Sequence, residues 1–334
     1  VLVALAFTLA VSPLAPTYTL RDLTPLPNGL TSAAYAVNNS GIVAGLSSLS
    51  DGSQHAVVWT KNGIHDIGTL GGQNSFGDGI NDAGQIIGRS DLSDGISSHA
   101  FLWTSAGGML DLGTLGGQNS VGLGINDAGQ IVGTSDLSDG ISSHAFLWTS
   151  AGGMQDLGSL NGDSTAFAIN NAGEIVGYYA YSAHFYHAFL WTPANGMQDL
   201  ASLDGGGSGA FAINNAGVIA GDGFESSVAP YSRAARWSPS LLLQYIGAGL
   251  ASHASAINDS GRIVGSAQFG AFVWTAATHT QNLNDLIPPN TGFFLYNAFA
   301  INRSGQIVAY GTANNGGFSH GALLTPVNQR RTKD

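Results

Sequence analysis

GINDAGQIVG, Gly124–Gly133, decides the fold, because the chain of 334 residues holds seven versions of it. The others are AVNNSGIVAG at Ala36–Gly45, GINDAGQIIG at Gly79–Gly88, AINNAGEIVG at Ala168–Gly177, AINNAGVIAG at Ala212–Gly221, AINDSGRIVG at Ala256–Gly265 and AINRSGQIVA at Ala300–Ala309. The first asparagine falls at 38, 81, 126, 170, 214, 258 and 302, a period of 43 to 45 residues. A fixed period of that size signals a propeller, a solenoid or an array. It overrides the two-domain expectation that length alone would give.

Outward from the motif, each period carries four strand signals. An alternating run such as Thr165–Asn170 leads into it. The turn, as at Asn126–Gly129, has Asn and Asp to bond their own backbone and Gly to supply positive φ, which makes a tight hairpin. The second strand is the QIVG type. The third is the HAFLWT type at His99–Thr104, His144–Thr149 and His187–Thr192, with relatives at His55–Thr60, Arg233–Ser238, Gly270–Thr275 and His320–Thr325. The fourth is the Asp-Leu type, for example Gly153–Leu160. Four short antiparallel strands joined by short turns make a propeller blade.

The ends of the chain select a closed ring. An Asp-Leu strand stands before the first motif, at Asp22 in Tyr18–Leu23, and none follows the last HGALLT strand. The N-terminal strand therefore supplies what the seventh blade lacks, and closure removes the free sheet edges. A solenoid would instead want polar caps. The expected fold is all-β: a seven-bladed β-propeller of four-stranded antiparallel blades over residues 17–326, with a basic tail at 327–334. Residues 1–16, VLVALAFTLAVSPLAP, read as the apolar and cleavage regions of a secretory signal. A membrane span needs about 20 apolar residues, more than this run has, so no transmembrane segment is expected. If retained, the segment would be a sticky arm able to drive self-assembly.

Composition narrows the function. Charged residues are 9% of the chain, against roughly 25% in an average domain. Net charge is −11, and three of the ten basic residues (Arg330, Arg331, Lys333) lie in the tail. A ring so poor in Lys and Arg has no electrostatic footprint for nucleic acid or anionic lipid. There is no cysteine, hence no disulfide framework and no thiol chemistry.

The HAFLWT strands, the Asp-Leu-Gly-Thr-Leu-Gly-Gly stretches and the Ile-Asn-Asp-Ala-Gly turns together resemble the bacterial extracellular repeat proteins of the HAF family, over essentially Tyr18–Pro326. Blades 5 and 6 depart from the pattern at Arg233–Ala235 and Gly270–Phe272, and blade 7 lacks the Trp. The resemblance implies export; it implies no reaction and assigns no functional residues.

Few residue patterns point to catalysis. The histidines of the third strands (His55, His99, His144, His187, His320) suggest a ring of metal ligands. With strands about 4.8 Å apart, however, equivalent third-strand positions in neighbouring blades stand about 15 Å from one another, against metal–ligand bonds of about 2 Å. Packing within or between blades is the expected role. His184 and His187, three apart on a strand, face opposite ways. The SDLSDG hairpins (Ser90–Gly95, Ser135–Gly140) are Asp-rich but lack the spacing of a calcium loop. Gly205–Gly209 precedes a strand and so offers no helix N-terminus to phosphate. No nucleophile, metal or cofactor signature is present, and no cofactor is expected.

Loop lengths say more. The first turn of each repeat is constant, whereas Asp-Leu to Asn runs from 13 to 20 residues and Asn to Trp from 16 to 23. In a four-stranded antiparallel blade both variable connections emerge on one face, and loops on a rigid scaffold are where binding residues concentrate. Two stretches there are aromatic: Tyr178, Tyr179, Tyr181, His184, Phe185 and Tyr186 in blade 4, and Phe293, Phe294 and Tyr296 before blade 7. Flat apolar faces with polar edges suit sugar or peptide contact. Asp204, Asp222 and Glu225 break the repeat near blade 5 and would supply the carboxylate pair of a glycan-cleaving enzyme. Blades 2 and 3, Gly68–Leu112 and Gly113–Leu157, differ at five of 45 positions and read as scaffold. The expectation is a secreted, non-enzymatic propeller that contacts an extracellular glycan or protein through the variable face. The alternatives are a glycan-cleaving hydrolase or lyase, and a structural subunit of an extracellular assembly.

Overall fold

Seven four-stranded antiparallel sheets form the computed structural model, which describes residues 17–182, 185–200, 206–224, 231–313 and 317–327. Blade 3 is the template: strands Gly116–Ile125, Ile131–Leu137, Ser143–Thr149 and Gly153–Asp156 pair in chain order. Six blades follow this plan. The seventh takes Phe293–Ile301, Ile307–Ala313 and Ser319–Pro326 and receives Tyr18–Leu23 as its outer strand, from Tyr18 opposite Pro326 to Leu23 opposite Gly321. The ring is closed by the N-terminal strand, as the Asp22 strand implied.

The middle strands of a blade are covered on both sides by neighbouring blades, so their apolar runs are continuous rather than alternating. Ile131, Val132, Ala145 and Phe146 are fully buried, as are Ile175, Val176, Ala188 and Phe189 in the next blade. Burying side chains of this size stabilises by about 1.5–3 kcal/mol each, so the inter-blade seams hold the ring.

Of the hydrogen bonds that join the blades, two sets are buried. In each first turn the asparagine Oδ1 accepts from the backbone N–H four residues on, and in five of the seven also from the one two residues on, as Asn126 does from Gln130 and Ala128 at 3.0 and 3.1 Å. Gly129 completes that turn at φ 76°. The same side chain donates from Nδ2 to the carbonyl of its counterpart in the next blade: 38 to 81, 81 to 126, 126 to 170, 170 to 214, 214 to 258, 258 to 302 and 302 back to 38, at 2.9–3.2 Å. Seven buried asparagines thus form an unbroken circle. The second set uses serines on the first strands. Ser75 Oγ accepts from Ala56 N at 2.8 Å and donates to Gly68 O at 2.6 Å; Ser120, Ser164, Ser208 and Ser252 accept likewise, and Ser32 closes the ring with Gly321 N at 3.2 Å. Between blades 6 and 7, Asn284 in the short turn Leu283–Asp285 takes this part, bonding Leu295 N and O.

One irregularity recurs in every blade. The pairing of first and second strands skips a residue, leaving Tyr35, Asp78, Leu123, Phe167, Phe211, Ser255 and Phe299 as bulges. A bulge bends the strand and re-aims one side chain. It also brings backbones together, which explains the glycine opposite: a Cβ on Gly88 would collide with the carbonyl oxygen of Phe76.

Candidate functional site

The two faces of the ring differ in construction. On the face of the first turns, the channel mouth is a shallow cavity of about 190 Å³ lined by the same positions of every blade, the asparagine circle among them. The opposite face carries both variable connections. Of the sixteen large apolar side chains exposed among the described residues, twelve lie on or beside the connections of this face. On the other face Leu241 and Leu242 sit on a turn and Val327 follows the last strand, and Leu110 lies on an outer strand.

Blade 4 divides its aromatic residues. Tyr181 (52% exposed) and Tyr186 stand out into solvent, with Tyr181 stacked on the His187 ring at 4.0 Å and 8°. Tyr178 contacts Tyr186 and the bulge residue Phe167 at 4.8 and 5.2 Å. Phe167 meets Phe211, and Phe211 meets His253, so an aromatic track runs from the rim inward across three blades. Tyr179 is interior at 4% exposure and packs in the core of blade 4. Burial and the adjacent Asp199 carboxylate push its phenol up to about 12. His184 and the Phe185 side chain lie outside the described residues. In blade 7, Phe294 and Tyr296 are exposed and pack edge to face at 5.0 Å, while Phe293 leans on the core.

The repeat histidines are engaged within their own blades. Nδ1 of His55, His99, His144 and His320 lies 2.8–3.0 Å from Asp66, Asp111, Asp156 and Asp22, the aspartates of the adjacent outer strands. A carboxylate only accepts, so each ring carries its proton on Nδ1. In blade 4 the pair is looser, 3.3 Å between His187 and Asp199, because Tyr179 shares the aspartate. Blade 5 has Arg233 over the Tyr245 ring instead. The SDLSDG hairpins use their second aspartate internally. Asp94 accepts from Ile96 N, Ser97 N and Ser97 Oγ, and these bonds hold its carboxyl at about 2.

Of the acids near blade 5, Asp204 and Glu225 lie outside the described residues. Asp222 is buried and bonded across the blade boundary to His253 Nδ1 at 2.8 Å. That leaves Nε2 as the free nitrogen of a partly exposed imidazole at the inner end of the aromatic track.

The site that sequence reasoning missed lies between blades 7, 1 and 2. Three consecutive bulge residues, Phe299, Tyr35 and Asp78, line one cavity of about 530 Å³ together with Phe76, Arg89 and Tyr310. Tyr35 and Phe299 pack edge to face at 5.2 Å, and the Arg89 guanidinium lies 4.2 Å over the Phe76 ring. Asp78 is partly open to the cavity, but its Oδ2 is shielded and has no hydrogen-bond partner in the protein. Desolvation raises this carboxyl to about 7, with the Arg89 charge pulling the other way. A signal for the site existed. Phe76, Asp78 and Arg89 are three of the five positions at which blade 2 departs from blade 3, which has Val121, Leu123 and Thr134 there.

No protein-family model and no curated protein matches the chain. Solved structures do. The chain is similar to an oligogalacturonate lyase in complex with manganese (TM-score 0.60, 10% identity, 92% of this chain and 93% of that one). It is also similar to the β-propeller domain of the trilobed protease from Pyrococcus furiosus (TM-score 0.56, 10% identity, 87% and 95%), described as having an open velcro topology where this ring is closed by strand pairing. Acylaminoacyl peptidase from Pyrococcus horikoshii aligns at TM-score 0.52 and 10% identity, over 83% of this chain and 49% of that one. At such identity the likeness establishes the propeller fold. Among the described residues no helix is long and apolar enough to cross a membrane.

Proposed function

We propose that this protein is a secreted, non-enzymatic propeller of the HAF type that holds an extracellular glycan or protein on the face of its variable loops. The observation that carries the reading is the concentration of exposed aromatic and aliphatic side chains on that face, against a turn face built of equivalent, internally bonded positions. Exposed apolar groups gathered on one side of a rigid scaffold mark an interaction surface. The glycan-cleaving alternative needs two carboxyl groups facing one substrate, and Asp222 is buried against His253.

The test is a glycan array with the wild-type chain and a Tyr181→Ala, Tyr186→Ala variant. These rings are exposed, so the fold is retained; the expected result is a glycan whose binding weakens about tenfold or more in the variant. An array on which the wild type binds nothing, or on which the variant binds equally well, would overturn glycan contact through this rim.

A further inference from the structure

We propose that the cavity between blades 7, 1 and 2 is a binding subsite for an uncharged sugar ring, held against the Tyr35, Phe299 and Tyr310 aromatic walls and hydrogen-bonded by Asp78 and Arg89. The proposal deepens the variable-face reading and rests on it, since both place a ligand on the same side of the ring.

Three independent observations converge. First, the volume of about 530 Å³ falls inside the roughly 300–1,000 Å³ typical of small-molecule sites, and the lining is aromatic with a few polar groups, as such sites are. Second, Asp78 is partly open to the cavity and incompletely bonded. Asp78 Oδ2 is shielded from solvent and unbonded, and a buried carboxyl oxygen in that condition is costly unless something is to bond it. The face of the Arg89 guanidinium rests on Phe76, which leaves the N–H edge of the plane to donate. Third, divergence between two otherwise near-identical blades is concentrated here. Two of the five differing positions, Phe76 and Arg89, are paired directly across the strands, and Asp78 is the bulge beside them. Blade 3, with Val121, Leu123 and Thr134, has lost or never gained this chemistry.

The ligand class follows from the charges. A simple cation would be drawn to Asp78 and repelled by Arg89; a simple anion would meet the reverse. Neighbouring hydroxyls of a sugar can donate to the carboxyl and accept from the guanidinium at once. The C–H face of the ring suits the aromatic walls. A hydroxyl also bonds a carboxyl in either protonation state, and burial holds this one near the middle of its titration at neutral pH. An ammonium group gains only from the ionised form.

The test is titration calorimetry of the whole chain with glucose, galactose, mannose and N-acetylglucosamine, with glycine and galacturonate as charged comparisons. The decisive variant is Phe76→Val, Asp78→Leu, Arg89→Thr, which installs the blade 3 residues; blade 3 shows that the repeat folds with them. The expected result is saturable binding of at least one neutral sugar, weakened about tenfold or more by the triple variant and by Phe299→Ala. Absence of binding by every neutral sugar, tighter binding of glycine or galacturonate, or unchanged affinity in the triple variant would each overturn the subsite. Failure of the parent reading looks different: there the rim variants leave array binding intact while the triple variant still abolishes sugar binding.

Discussion

The two mouths of the channel are made from the two ends of the same strands, yet one is uniform and the other is not. At the turn face every blade gives the same asparagine, and its side chain is consumed by bonds to its own turn and to the next blade. At the variable face the corresponding positions hold Tyr, Asp, Leu, Phe or Ser on the bulges, and several polar atoms there lack partners, Asp78 Oδ2 and Ser255 Oγ among them. Repetition marks what builds the ring. Departure from repetition marks where side chains are released from that bonding.

The largest effect should come from breaking the uniform face. Asn126→Ala removes donors to Gln130 Oε1 and Asn170 O and the acceptor for Ala128 N and Gln130 N, at a buried position. The expected loss is about 3 kcal/mol, the cost of several buried groups left unpaired. Asp127→Ala, one residue on, removes bonds to Asp82 N and Asn171 Nδ2 at an exposed site and should cost less than about 1 kcal/mol. Denaturant unfolding of both variants checks the ratio; equal losses would mean that the circle adds nothing to its turns.

A smaller effect, of opposite sign, is expected at the variable face. The Asp78 carboxyl titrates at about 7 in the folded chain and near 3.8 when unfolded. The folded state therefore holds its proton more tightly, and stability falls as pH rises from about 4 to about 7, levelling above that. Asp78→Asn has no such dependence. Near pH 8 it should be more stable than the wild type by on the order of 2–3 kcal/mol, below the roughly 4 kcal/mol of a fully desolvated carboxyl because Asp78 is partly open to the cavity, with the gap closing near pH 4. Melting curves across that range decide it, and a gap that does not change with pH would show that Asp78 is solvated like an ordinary surface carboxylate. A residue that costs stability where it stands is the usual mark of a functional position.

The ring was legible because its evidence is arithmetic. Seven asparagines at a fixed period and one outer strand displaced to Asp22 leave little freedom in topology. The variable face was legible for the same reason, from connection lengths. Side-chain direction was less so. Adjacent strand residues face opposite ways, so Tyr178 and Tyr179 could not both face the rim, but which of them is interior depends on the neighbouring blade. The bulges compound this, since a single skipped residue re-aims Asp78 and nothing in Gly77–Gly79 announces it beyond small neighbours. The near-identity of blades 2 and 3 suggested scaffold, whereas the informative content was in the few differences. The inter-blade serines gave no sign at all: Ser75 and Ser120 look like loop residues in sequence, and they become bridges only when the preceding blade supplies Ala56 N and Ala100 N.

The smallest effect on stability should accompany a clear effect on binding. Ile96 and Ile141, 75% and 89% exposed, stand at the tips of the twin hairpins of blades 2 and 3. They are not loosely placed: Asp94 and Asp139 accept from the backbone N–H of each isoleucine and of the serine that follows, which fixes the loop with the side chain outward. An isoleucine held in solvent buries nothing in the monomer, so Ile96→Ser, Ile141→Ser should change unfolding free energy by less than about 0.5 kcal/mol. If the variable face is where a partner docks, the same double variant should weaken that partner on the array, because apolar area removed from water at a contact is worth about 25 cal/mol per Å². A stability loss well above that limit would show that the hairpins pack against their neighbours and belong with the scaffold. Intact stability with unchanged binding would confine the contact surface to the blade 4 rim and the cavity beside Asp78.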